Sequence, residues 1–189
     1  MAIAKYVRKR IAAILAVTFM IISGIPLLAP LLLPLPITPS VETYYESLEA
    51  LPTGSTIFVV MDVGSNKVTN LILADTLKHI VTRGHKFVQF SSTAASLAWA
   101  EIYPLALIKP TLQAHNYVYG VDYAYCGFVP GYEIAMSALY NDFQSIVTAD
   151  YYGTPTAQVP LLASIVDHDS FDYAVFVAGY DTLEAWSRQ

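Results

Sequence analysis

The sequence predicts an α/β fold: a doubly wound, mostly parallel sheet of the Rossmann-like or flavodoxin-like kind, preceded by one transmembrane helix. Short continuous apolar runs rich in β-branched and aromatic residues alternate with segments of helical periodicity, the pattern of strands covered on both faces and the helices that cross between them. Ahead of them, Ile11 to Leu33 carries no charge and is apolar apart from Thr18, Ser23 and Gly24. Finally, 55% of the chain is hydrophobic and only 13% charged, which excludes a disordered chain and favours contact with lipid.

In chain order, residues 1–10 form a basic N-terminus with Lys5, Arg8, Lys9 and Arg10. Residues 11–33 are the membrane helix, since about twenty residues at about 1.5 Å each cross a hydrocarbon core ~30 Å thick. Pro26 and Pro30 predict a straight helix to about Ile25 and a loosened end beyond it. The basic residues lie on one side only, with no cation after the run until Lys67, so the N-terminus faces the cytoplasm and the domain faces outward. A cleaved signal peptide fits this pattern less well, because the run is long and lacks a small-residue cleavage site. Residues 34–55 form a Pro-containing spacer around a short helix, Val41 to Ala50, whose Tyr44, Tyr45 and Leu48 suit either the membrane interface or the domain itself.

Residues 56–189 form the domain. Strands are expected at Thr56 to Met61, Lys86 to Phe90, Asp122 to Phe128 and Tyr173 to Ala178. Between them, Val68 to Thr82 is helical and stops at Gly84. An Ala-rich helix follows Ser91 to Thr93 and is expected to break or kink at Pro104 and Pro110. Tyr132 to Val147 is read as one amphipathic helix with Ile134, Ala135, Ala138, Leu139, Phe143 and Ile146 inward. Leu161 to Val166 is a short helix, and Thr182 to Trp186 opens a last one.

The net charge is −5, and the four N-terminal cations leave −9 for the rest. Such a surface repels phosphate backbones, so nucleic acid is not an expected partner. Cys126 is the single cysteine, which rules out an intrachain disulfide and multi-cysteine metal sites and reads as a buried small hydrophobe.

Ligands of open parallel sheets sit beyond the carboxyl ends of the strands. The candidate ligand-binding residues there are Asp62 and Ser65 after the first strand, Ser92 after the second, and Gly127 and Gly131 after the third. Strand one ends in Asp-Val-Gly-Ser-Asn with neither a G-x-G-x-x-G nor a P-loop pattern, so no cofactor is expected. Asp62 suits a metal ligand or acid–base group, or a simple turn; Gly127 to Glu133 suits an anion at a helix start, or a tight turn. Asp167, Asp169 and Asp172 are spaced like Ca²⁺ ligands but match no EF-hand, and they equally form a solvated turn. G-x-S-x-G and paired zinc histidines are both missing from the sequence.

The fourteen tyrosines are the chain's compositional peculiarity. Tyr117, Tyr119, Tyr123 and Tyr125 recur at every second or fourth position, and Tyr151 and Tyr152 precede Gly153. Tyrosine gives broad contact area at small entropy cost, so these six are the candidate interface residues, with core packing the plainer alternative.

Tyr119-Gly-Val-Asp-Tyr-Ala-Tyr-Cys-Gly-Phe-Val-Pro-Gly-Tyr-Glu133, Asp150-Tyr-Tyr-Gly-Thr-Pro155, Val159 to Leu162, Asp169 to Ala178 and Trp186 together resemble a family of uncharacterised membrane-anchored α/β proteins. The resemblance covers the anchor and nearly all of the domain and implies no established activity. It implies that relatives continue beyond the tryptophan through another strand, a Gly-rich segment and a membrane helix. Two functions are expected from the whole reading. The first is a non-enzymatic structural or accessory subunit, bound to the bilayer and to other membrane proteins or copies of itself. The second is a tethered ligand-binding or catalytic domain with its site at the strand ends.

Overall fold

The computed structural model describes residues 2–28, 36–62, 66–130 and 133–178, in two compact units divided between Thr43 and Tyr44. In the first unit, α1 spans Ala2–Leu28, so Pro26 lies inside the helix and the ordered turn extends past Ile25. Its described side chains are mostly exposed, Phe19 by 72% and Met20 by 73%. Among the described residues no helix is long and apolar enough to cross a membrane. A second helix, α2 (Pro39–Glu49), starts on a proline, whose missing N–H costs nothing at a helix start, and runs across the division between the units.

In the second unit, β1 (Thr56–Met61), β2 (Lys86–Ser91), β3 (Tyr123–Phe128) and β4 (Tyr173–Val177) form one all-parallel sheet in the order β3-β2-β1-β4. The α/β expectation is therefore met. The strands in the middle are buried on both faces, which is why their sequences run apolar without alternating.

Helix α3 (Lys67–Thr82) joins β1 to β2, and α4 (Ala94–Ala114) joins β2 to β3. Asn66 starts α3 by accepting from the Val68 amide at 2.9 Å. Gly84 ends it at φ +76°, where a Cβ would meet Thr53 Cγ2 at 3.0 Å. Both helices cover the same sheet face: Leu73, Leu77, Ile80, Ile108 and Leu112 pack on Ile57, Val59, Phe87 and Val175. Each large apolar side chain so buried contributes roughly 1.5–3 kcal/mol. Leu48 of α2 joins this core, and Glu49 ties the helix down by pairing with His79 Nε2 at 3.0 Å and Arg83 Nε at 3.4 Å.

The long return from β3 to β4 covers the opposite face with α5 (Glu133–Asn141), α6 (Phe143–Ile146) and α7 (Pro160–Ala163). Leu139, Phe143, Leu161, Leu162 and Ile165 pack there on Phe58, Val60, Val88, Phe90 and Ala124. The helices of the first two crossovers thus cover one face of the parallel sheet and the return covers the other.

Three expectations need correction. The break expected at Pro104 or Pro110, the stronger form of the break-or-kink expectation, does not occur: helix α4 continues to Ala114, where exposed Pro110 forfeits a ladder bond on the solvent side while Ile108 and Leu112 stay buried. The helix expected over 132–147 is two, because the Asp142 side chain accepts from the Ser145 amide and starts a new turn. Ile134 is outward and 81% exposed, since Met136, Leu139 and Phe143 set the buried face.

Candidate functional site

Asp62 follows the last residue of β1 and receives the loop after β2. Its Oδ1 accepts from the Ser92 amide at 2.8 Å, the Thr93 amide at 3.2 Å and the Ser91 hydroxyl at 3.2 Å, while Oδ2 accepts from the Ser92 hydroxyl. Strand register makes this meeting, because β1 and β2 pair in parallel from Thr56↔Lys86 to Val60↔Phe90 and so end level. The carboxylate also sits where α4 begins, the end of a helix that attracts negative charge. In this arrangement the Asp62 carboxyl group is the acceptor for the Ser92 and Thr93 amides just before α4. Thus Asp62 and Ser92 of the expected strand-end site come together, and they bond to each other.

Gly127 is placed in a bulge. Gln89 pairs with Tyr125 and Ser91 with Phe128, so two residues of β3 oppose the single Phe90, and Gly127 takes φ +73° to allow it. Ser65 and Gly131 lie outside the described residues, as do Gly179 and Asp181 beyond β4 and the helix expected at Thr182 to Trp186.

Asp167, His168 and Asp169 offer ligand atoms within 4.8 Å of one another, whereas Asp172 is elsewhere. Asp172 Oδ2 accepts from the Thr56 amide at 2.7 Å and fixes the entry to β4 against β1. Asp167 caps a single 3₁₀ turn, His168–Ser170, by accepting from the Asp169 amide at 3.1 Å. His168 stacks on Tyr140 at 3.7 Å, with Nδ1 3.0 Å from the Tyr140 carbonyl and Nε2 3.1 Å from Asp169. The three groups are engaged in holding this turn together.

The tyrosines gather on the outer side of β3. Tyr125 is buried and lies against Tyr151 at 4.8 Å; Tyr119 meets Tyr123 at 5.3 Å and Tyr152 at 5.2 Å; Tyr151 meets Tyr152 at 5.3 Å. Tyr117 turns away to donate to the His85 carbonyl at 2.8 Å. At the centre is buried Asp150, which accepts from the Tyr119 hydroxyl at 2.8 Å and from the Tyr152 and Thr154 amides at 3.0 and 2.7 Å. Burial raises the Tyr119 hydroxyl well above its ordinary pKa, and its bond to Asp150 adds to this; Tyr117 is pushed up to about 12, by burial first and then by Asp122. Both tyrosines are therefore neutral donors at physiological pH. Burial likewise raises the Cys126 thiol, with Asp150 adding, so Cys126 is a poor nucleophile.

The result is a hydrogen-bonded loop, residues 149–155, that leaves Tyr151 37% and Tyr152 57% exposed, with Val118 and Val121 also exposed on the turn that carries Tyr119. Asp150 was not among the candidate residues from sequence. The signal was present in Asp-Tyr-Tyr-Gly, where an aspartate two residues before an amide and three before a glycine forms an Asx-type turn.

No protein-family profile, curated protein or solved structure matches the chain. The resemblance to a family of membrane-anchored α/β proteins rests on the sequence motifs alone.

Proposed function

We propose that this chain is a membrane-anchored, non-enzymatic accessory subunit that associates, through the tyrosine face beside β3, with other membrane proteins or with copies of itself. The observation that carries the reading is the treatment of two carboxylates. Asp62, at the sheet's usual ligand position, is consumed by its own neighbouring loop. Asp150 is buried in order to hold an exposed tyrosine pair in one place. Pre-ordered aromatic side chains lose little entropy on binding, which is what a protein contact surface uses.

The anchor is supported by the uncharged run Ile11 to Leu33 and by the exposure of the described apolar side chains within it. The cations before the run favour an N-terminus in the cytoplasm and a domain outside. A charge at the centre of a membrane helix costs about 2.5–3.5 kcal/mol on insertion scales, so Ala16→Arg with Phe19→Asp should release the chain from carbonate-washed membranes or stop its accumulation. Leu31→Arg, close enough to the boundary to snorkel, should remain bound. A double variant that resists carbonate extraction as the parent does would contradict this anchor.

A further inference from the structure

The ring of His85, between the end of α3 and the start of β2, is fully buried, and neither Nδ1 nor Nε2 has a hydrogen-bond partner among the described residues. A neutral imidazole carries one donor and one acceptor, and leaving them unmet in the interior costs stability. On one side the cover is a single turn of chain, Pro52 to Ser55, which joins α2 to β1 and whose Pro52, Thr53 and Gly54 are exposed. We propose that this turn is a pH-sensitive latch, closed over the neutral ring of His85 and opened, with the end of α2 that leads into it, when the ring takes a proton.

Three observations lead there. First, the turn is the lightly fastened side of the site. The Gly54 amide donates to the Gly84 carbonyl at 3.1 Å and the Lys86 amide to the Ser55 carbonyl at 2.9 Å, while the Ser55 amide and hydroxyl bond within the turn, to the Pro52 carbonyl. Elsewhere the residue is held by the pairing of β2 with β1 and β3 and by Tyr117, whose hydroxyl donates to the His85 carbonyl. Second, the surrounding charges on balance oppose a proton. From α3 come His79 and Arg83, both paired with Glu49 of α2, and from the entry to β4 comes Asp172, whose Oδ2 is committed to the Thr56 amide. Lys86 adjoins His85 on β2, and Tyr117 and Asp122 precede β3. Burial first, and then Arg83 and His79, hold the ring below its ordinary pKa of 6.5, against the Pro52 carbonyl and Asp172, which favour the cation. Third, opening the turn brings the ring to water, where it titrates near the ordinary value. The advantage of the closed turn is therefore complete above about pH 6.5 and is lost as the pH falls below it toward the lower closed-state value.

Hydrogen exchange of the full-length chain in detergent, with protection taken relative to the intrinsic rate at each pH, tests this. One proton taken up on opening favours the open turn by up to about tenfold per pH unit below about 6.5. Between about pH 7.5 and about pH 5.5, protection of the Gly54 and Lys86 amides should therefore fall severalfold, while that of the Tyr151 and Thr154 amides, in the loop beside β3, should hold. His85→Leu, which has no ring to protonate, should abolish the fall. His79→Gln, which removes the histidine paired with Glu49, should keep it. Unchanged protection in the parent, a fall of equal size at Tyr151 and Thr154, or a fall that persists in His85→Leu would overturn the proposal. The parent alone supplies a second measurement should His85→Leu not fold: followed by its ring nitrogen shifts, His85 should titrate below about 6.5, and titration at or above that value would overturn the latch as well.

Discussion

Along its outer side β3 is sealed by chain from before and after it: the Gly120 amide donates to the Tyr123 carbonyl at 2.7 Å, and the Tyr151 amide to the Tyr125 carbonyl at 2.8 Å. On β4, at the other end of the sheet, no further strand pairs among the described residues, Ala174 is exposed, and apolar clefts open on both faces. Exposed strand edges are a liability that proteins cover or blunt. The contrast teaches that one edge of this sheet is finished by polar bonds built around a buried carboxylate, and the other is left for apolar contact. Sensitivity to substitution should follow the same division.

The largest effect should come from Asp150→Ala, which leaves the Tyr119 hydroxyl and two loop amides without their shared acceptor; a loss of about 3 kcal/mol is expected in urea unfolding. Tyr119→Phe removes one of the three donors and should cost about 1–2 kcal/mol. If both variants unfold with the parent, the polar seal on β3 contributes nothing and the contrast fails.

Alkali should act on the same edge with a smaller effect. The native pKa values of Tyr117 and Tyr119 are raised, so above the ordinary value of about 10 the unfolded chain releases protons that the native protein retains. Stability from these groups is therefore complete below about pH 10 and falls as pH rises toward about 12, the native value for Tyr117. Urea midpoints at about pH 9 and about pH 11 should show the drop, and the Tyr117→Phe, Tyr119→Phe pair should flatten it. A midpoint that rises with pH would have the wrong sign. The smallest effect belongs to the open edge: Ala174→Thr should alter stability by no more than about 0.5 kcal/mol, because the site is exposed and threonine suits a strand.

How far the sequence reveals this molecule depends on the range of the interaction. The four strands were legible because burial on both faces writes itself as unbroken apolar runs such as Thr56–Met61. The C-terminal end of α3 was legible from Gly84, a local requirement. Pro110 misled because a proline's cost depends on whether its face meets solvent, which α4 settles only after packing on α3. At the site, Asp62 and Ser92 were both readable as strand-end residues, but their bonding to each other depends on the parallel register of β1 and β2. Asp150 lies farther still from sequence logic, since its carboxylate has meaning only when Tyr119, 31 positions earlier, folds back onto it.

The central claim is the proposal that the tyrosine pair at the β3 edge is the surface through which the chain associates. Native mass measurement after gentle detergent extraction tests it most directly, comparing the parent with Tyr151→Ser, Tyr152→Ser. The parent should leave the membrane as an assembly heavier than one chain, and the double variant, with its urea midpoint retained, should leave as a monomer. A parent that is a clean monomer without a co-purifying partner, or a double variant that keeps the parent's mass, would contradict the account.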